Sequence, residues 1–103
     1  MALHNTHLRK STNSGIASAT TALAASEGRA NYFIQNLGTN ALFVKEGASA
    51  SVTDFTFVLA AGTVNDNGTG GSKSSEVDGC WTGIISIAGT SPRYTITQRQ
   101  ENI

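Results

Sequence analysis

The sequence predicts one all-β domain, built as a small antiparallel β-sandwich or barrel, and three observations favour this class. Short runs rich in β-branched and aromatic residues recur at intervals of about 10 residues. The 11 glycines, together with many Ser, Thr and Asn residues, supply turns between these runs. The chain has 103 residues, a usual size for a single domain with one modest core.

The N-terminal residues 1–15 show neither the strand period of 2 nor the helix period of 3.6. Their few apolar and basic positions include Leu3, Leu8, Arg9 and Lys10. We expect an extended N-terminal arm, either a disordered tail or a segment that becomes ordered on a neighbouring molecule. Residues 16–103 then form the β-domain.

The centre of the chain predicts a β-hairpin. Residues 31–37 and 41–46 are dense in aromatic and β-branched residues, and Gly38-Thr39-Asn40 between them suits a tight turn. Side-chain alternation places Tyr32 and Ile34 on one face of the first strand, and Leu42 and Val44 on one face of the second. Residues 17–24 are also assigned to a strand, although their alanines favour helix, because the loop that follows them is short enough for a hairpin.

The second half of the chain contains three further predicted features. Phe55, Phe57 and Leu59 alternate with less apolar residues, which predicts a strand that buries all three. Residues 65–79 are rich in turn formers and predict a long functional or mobile loop. Residues 80–88 are apolar on both faces, as in a strand deep inside a sheet, and residues 93–98 alternate as a last strand.

Composition argues against several partners. The formal net charge is +0 and the charged fraction is 14%, against about 25% in ordinary domains. Electrostatic capture of nucleic acid or of an anionic membrane is therefore not expected. Apolar runs stay short of the ~18 residues of a membrane span, and no signal peptide is evident. Low charge also leaves little repulsion between copies, which favours self-assembly.

Motifs for chemistry are weak. His4 and His7 are three residues apart without an accompanying Cys or carboxylate, so exposed polar side chains are the better interpretation. Residues 68–73 lack the spacing of a phosphate-binding loop. Both histidines lie in the predicted arm, so the sequence does not predict a Ser-His-Asp catalytic triad. We expect neither an enzyme nor a cofactor.

Three alternatives remain for other polar and aromatic residues. Four carboxylates could converge on a cation, namely Asp54, Asp66, Glu76 and Asp78. Three aromatic residues could form a sugar-stacking platform or belong to the core, namely Trp81, Tyr32 and Tyr94. The single Cys80 is expected to be a buried free thiol.

Several segments together resemble small virion structural proteins of tailed bacteriophages. These are residues 29–47, the turn 58–63, the loop 66–71 and the run 81–87. The likeness covers about residues 22–98 and is closest to capsid decoration, or cement, proteins. It implies a jelly-roll-like sandwich, a homotrimer and the major capsid protein as partner. It also implies a place on the capsid surface of the virion after synthesis in the host cytoplasm.

The expected function is therefore to bind and stabilise the major capsid shell. Candidate contacts are the arm residues Leu3, Leu8, Arg9 and Lys10 and the loop residues Asp66, Asn67 and Lys73. The alternatives are a head–tail connector, a tail or fibre component, or a module that binds host glycans. An exposed aromatic cluster around Trp81 would favour glycan binding.

Overall fold

Eight strands make up the fold. The computed structural model describes residues 8–13, 15–75 and 79–101. The strands are β1 (Leu8–Asn13), β2 (Thr21–Leu23), β3 (Arg29–Asn36), β4 (Leu42–Glu46), β5 (Phe57–Leu59), β6 (Ser72–Ser74), β7 (Ile85–Ala88) and β8 (Tyr94–Glu101). The described residues contain no helix, so the all-β prediction is confirmed.

The strands form two four-stranded antiparallel sheets, in the orders β1-β8-β3-β6 and β2-β7-β4-β5. Four of the pairings follow one rule: β1 pairs with β8, β2 with β7, β3 with β6 and β4 with β5. The chain thus folds back on itself around the β4–β5 connection, and successive pairs go to alternate sheets.

One apolar cluster contains residues from both sheets. Its members are at most 8% exposed: Leu23, Tyr32, Ile34, Leu42, Val44, Leu59, Ile85, Ile87, Tyr94 and Ile96. The alternation predicted for residues 31–37, 41–46 and 93–98 is confirmed by these members. Central β7 is buried on both faces, as its sequence predicted. Its outer face is covered in part by the loop between β4 and β5, because Ser86 Oγ donates to Gly47 O (2.7 Å) and accepts from Ala50 N (3.0 Å).

The predicted central hairpin is wrong, because β3 and β4 lie in different sheets. The chain crosses between the sheets at Asn36, which is 1% exposed. Its Nδ2 donates to Asn40 O, Leu59 O and Ala60 O at 2.9, 3.2 and 3.0 Å, and its Oδ1 accepts from Gly38 N at 2.9 Å. These bonds satisfy backbone groups of the crossing itself and of the end of β5.

The strand predicted over residues 17–24 is shorter, and it does not form a hairpin with β3. Only Thr21–Leu23 is a strand, and it pairs with β7 in the other sheet. Ala17 makes an isolated antiparallel bridge to Tyr94. The chain before β2 therefore contacts one sheet and then enters the other.

The burial predicted for Phe55 is also wrong. Leu59 is buried and Phe57 is half-buried, but Phe55 is 41% exposed. Residues 51–54 make a turn, and β5 begins only at Phe57. Phe55 therefore lies before the strand, where the alternation no longer determines its face.

Three other segments differ from the prediction in how much strand they contain. Within the predicted loop 65–79, Ser72–Ser74 forms β6 and pairs with β3. In the predicted strand 80–88, only Ile85–Ala88 is a strand. At the N-terminus, Leu8–Asn13 of the predicted arm forms β1, antiparallel to β8 of the same chain. Residues 1–7 lie outside the described part.

Candidate functional site

An apolar row crosses the outer face of the sheet β2-β7-β4-β5. We use this name for Phe43, Phe55, Val58 and Ala88. Phe43 of β4 lies opposite Val58 on one side and Ala88 on the other. The rings of Phe43 and Phe55 pack edge to face, with centroids 5.1 Å apart. Phe55 and Val58 are 41% and 42% exposed, so the row leaves an apolar surface open to solvent.

The apolar row carries little net charge at its edge. Beside Phe43 on β4, Lys45 Nζ lies 2.6 Å from Asp54 Oδ2. The two opposite charges neutralise each other, and Asp54 remains largely exposed. The surface around the apolar row is therefore mainly apolar, and its nearby charges are paired.

The predicted contact residues Asp66 and Asn67 hold the loop between β5 and β6. Asp66 accepts a bidentate pair of hydrogen bonds from Arg93, at 2.9 and 2.7 Å, and these bonds raise the pKa of Arg93. Asn67 Oδ1 accepts from Thr69 N and Thr69 Oγ1. The structure thus assigns both residues to loop organisation, and their contact with another molecule stays a prediction.

Lys73 links the edges of the two sheets. It lies on β6 opposite Ile34, and its Nζ is 5.9 Å from the ring centroid of Phe57 on β5. A cation at this distance from an aromatic face is attracted to it. Leu8, Arg9 and Lys10 lie on β1, and Leu3 lies outside the described residues.

The two described carboxylates of the cation hypothesis do not converge. Asp54 pairs with Lys45 and Asp66 pairs with Arg93. Glu76 and Asp78 lie outside the described residues, as do His4 and His7. Within 8–13, 15–75 and 79–101, no group of three His, Cys, Asp or Glu residues is arranged to hold a metal.

Of the two alternatives for the aromatic residues, the core is confirmed for both tyrosines, and the three rings do not form a platform. Tyr32 and Tyr94 are buried, whereas Trp81 is 40% exposed. Tyr32 Oη donates to Glu46 Oε2 (2.6 Å), and burial together with this bond raises the pKa of Tyr32. Trp81 Nε1 donates to Ile84 O (2.8 Å). The hydrogen-bonding groups of these rings therefore serve the fold.

Cys80 is only half-buried, so the prediction of a buried thiol is corrected. Ser75 Oγ lies 3.6 Å from its Sγ, and the thiol contacts Trp81 O at 3.5 Å. The segment that carries Cys80 is loop, because the strand begins only at Ile85. A loop position leaves the thiol at the margin of the core.

Arg29 is a structural residue that sequence reasoning missed. It is 4% exposed, and burial lowers its pKa. Its guanidinium donates to Gln98 Oε1 (2.9 Å), Trp81 O (2.8 Å), Gly83 O (2.9 Å) and Ala24 O (2.7 Å). Arg29 thereby ties the start of β3 to the segments before β7 and after β2. An arginine that opens a strand gives no signal in sequence for this role.

No protein-family model, curated protein or solved structure matches the chain. The described residues also include no helix that is long and apolar enough to cross a membrane.

Proposed function

We propose that this chain is a structural protein of a tailed-bacteriophage virion, a decoration protein that binds the outside of the capsid shell as a homotrimer. In this proposal its role is mechanical, and its partner is the major capsid protein. The sequence resemblance supports it over about residues 22–98.

The observation that carries the proposal is the strand order. A ribbon of four antiparallel pairs, 1·8, 2·7, 3·6 and 4·5, that alternate between two sheets is the pattern of an eight-stranded jelly roll. The core cluster takes residues from both sheets, which supports a sandwich. The sequence resemblance implies the same architecture independently of the strand pairing, and jelly rolls recur in viral capsid proteins.

The apolar row is the surface that we assign to contacts between copies. Burying exposed aromatic and aliphatic side chains is the main favourable term in association. The formal net charge of +0 leaves little repulsion between copies. The trimer number comes from the resemblance, because decoration proteins of this kind sit at positions of threefold local symmetry.

The arm and the β5–β6 loop are the parts that we assign to the shell. β1 is at the edge of its sheet, so its outer side can extend the sheet to a strand of the neighbour. Residues 1–7 precede this edge. Three arms on one trimer bind the shell more strongly than one arm, because each bound arm raises the effective concentration of the other two at the shell.

Reconstitution tests the proposal directly. Purified protein should sediment as a trimer and bind shells assembled without it. Phe55→Ser should shift the trimer toward monomer and weaken shell binding, because it removes the exposed ring from the apolar row. Phe33→Ala is the matched control, since Phe33 is an exposed ring (38%) on the other sheet. A wild-type protein that stays monomeric and leaves shells bare, or that binds only tails, would contradict the proposal.

A further inference from the structure

A second surface lies on the opposite sheet. It is a shallow groove of about 210 Å³ on the outer face of β3, between β6 and β8. The residues that line it are Asn31, Tyr32, Phe33, Ser74, Ser75, Thr97 and Arg99. Its volume is below the roughly 300 Å³ of the smallest common drug-sized pockets, so it suits a ligand the size of one ring.

The strand register places the groove's functional groups in a regular grid. Phe33 lies opposite Ser74 on β6 and opposite Thr97 on β8. Asn31, two residues earlier on the same face, lies opposite Arg99. The groups stand on three adjacent paired strands rather than on loops, which fixes their spacing before a ligand arrives.

Hydrogen bonds hold one end of the groove. Ser75 Oγ accepts from Tyr32 N (2.8 Å), and Ser75 N donates to Tyr32 O (2.9 Å). These bonds fix the chain as it leaves β6. Phe33 remains 38% exposed on the groove floor, whereas its neighbours Tyr32 and Ile34 are buried.

The chemistry of the grid fits a sugar. A sugar ring has an apolar C–H face that can stack on an aromatic ring, and hydroxyl groups around its edge that need hydrogen-bond partners. The floor supplies one ring, Phe33, with two hydroxyls and an amide beside it. The groove is less suited to an apolar protein partner, because binding such a partner needs a larger apolar patch than one ring enclosed by polar side chains.

Arg99 adds a preference for acidic groups. The ion pairs among the described residues are Lys45–Asp54 and Arg93–Asp66, and neither involves Arg99. Arg99 lines the groove, and a guanidinium can take a carboxylate in a bidentate pair. The positive charge of Arg99 therefore favours a ligand with an anionic group beside this residue.

We propose that this groove binds a saccharide that carries a carboxylate. The ring stacks on Phe33, Asn31, Ser74 and Thr97 hydrogen-bond its hydroxyls, and Arg99 pairs with its acid group. The groove and the apolar row lie on opposite sheets, so saccharide binding is independent of the proposed trimer contact. On a particle, the groove would give the protein a capacity to adhere to acidic polysaccharide.

The test is an NMR titration of the full chain with matched neutral and uronic-acid oligosaccharides of glucose, galactose and mannose. We expect at least one acidic probe to shift the amide signals of Phe33, Ser74 and Thr97 in a saturable way. Arg99→Gln should weaken that probe at least tenfold and bring it to the level of its neutral partner. Phe33→Ala should abolish both. Val52→Ala, which shortens an exposed side chain (57%) outside both the groove and the apolar row, should leave both unchanged.

Three results would overturn the proposal. These are no saturable shift at the groove with any probe, equal binding of the acidic and neutral partners, or unchanged binding by Phe33→Ala. Thermal unfolding of each variant checks that the fold is intact. Shell binding separates the two proposals. If Phe33→Ala no longer binds shells, the groove is a protein contact. If Phe33→Ala loses only saccharide binding, the proposed decoration role is unaffected.

Discussion

At the scale of single residues, the fold depends on buried polar side chains that serve backbone groups. The side-chain amide of Asn36 bonds to Gly38 N and Asn40 O nearby in the chain. It also donates to Leu59 O and Ala60 O, more than twenty positions away. In the described residues, no buried side-chain N or O atom lacks a hydrogen-bond partner. Removing one such side chain leaves several backbone groups unsatisfied at once.

Asn36→Ala should therefore lower the free energy of unfolding by about 2–4 kcal/mol. The loss comes from backbone groups that lose the Asn36 side chain as a partner, among them Gly38 N and Leu59 O, whereas Ala60 O keeps its bond from Gly71 N (3.0 Å). Denaturant unfolding followed by circular dichroism measures it. Asn65→Ala is the matched control, since Asn65 is exposed, and it should change stability by less than about 0.5 kcal/mol. Equal changes in unfolding free energy for the two substitutions would show that the Asn36 side chain does not stabilise the fold by joining the crossing to the end of β5.

The two tyrosines predict how stability depends on alkaline pH. Burial raises the pKa of both Tyr32 and Tyr94, and the bond to Glu46 adds to the effect at Tyr32. A phenol whose pKa is raised by folding is held in its neutral form. Stability is therefore complete below the unfolded pKa of about 10 and falls as pH rises through the folded values.

Phenolate absorbance during an alkaline titration should then rise together with loss of the β signal in circular dichroism. The chain has only these two tyrosines, so the absorbance reports on them alone. Tyr32→Phe should reduce the part of the alkaline destabilisation that comes from Tyr32. Two phenolates that form near pH 10 in a protein that stays folded would show that neither hydroxyl is held by the fold.

At the scale of elements, the crossing from β3 to β4 is packed tightly against the β5–β6 loop. A Cβ on Gly70 would lie 2.3 Å from Asn36 O and 3.1 Å from Ala60 O, which is too close for any side chain. Asn36 N also donates to Gly71 O at 2.9 Å. The two connections therefore support each other.

Gly70→Ala should destabilise the fold by about 3 kcal/mol, because the backbone must move to admit the methyl group. Gly38→Ala makes the fitting comparison. Its Cβ would meet Asn36 Oδ1 at an ordinary 3.5 Å, so the expected loss is under about 1 kcal/mol. Thermal unfolding of both variants decides the matter, and a Gly70→Ala protein as stable as the wild type would contradict this packing.

Sequence reasoning succeeded where local pattern decides the structure. Alternation in β3, β4 and β8 correctly grouped the residues that share a face, because a strand's faces follow from its period alone. It failed for the hairpin, since a short loop with Gly and Asn fits both a turn within a sheet and a crossing between sheets. The choice rests on bonds from Asn36 to residues more than twenty positions away.

The candidate surfaces were harder to predict for the same reason. Phe43, Phe55 and Val58 come together only through the pairing of β4 with β5 and the turn before it. Phe33 and Arg99 share a face because β3 pairs with β8, across more than sixty positions of sequence. A single sequence carries no local signal for such long-range pairing.

At the scale of the whole molecule, the two outer faces have different character. One face carries the apolar row, and the other presents a polar grid around a single exposed ring. An apolar outer face is usually covered in the functional state, while a polar one remains in solvent. This asymmetry is what we expect of a protein that assembles through one face and displays the other.

Electron cryomicroscopy of virions produced from the genome that encodes this chain tests the central proposal most directly. The account predicts density for an eight-stranded fold at repeated positions over the capsid lattice, in groups of three, with the apolar row between copies. A map in which the protein is absent from the capsid surface, or is confined to one vertex or to the tail, would contradict it.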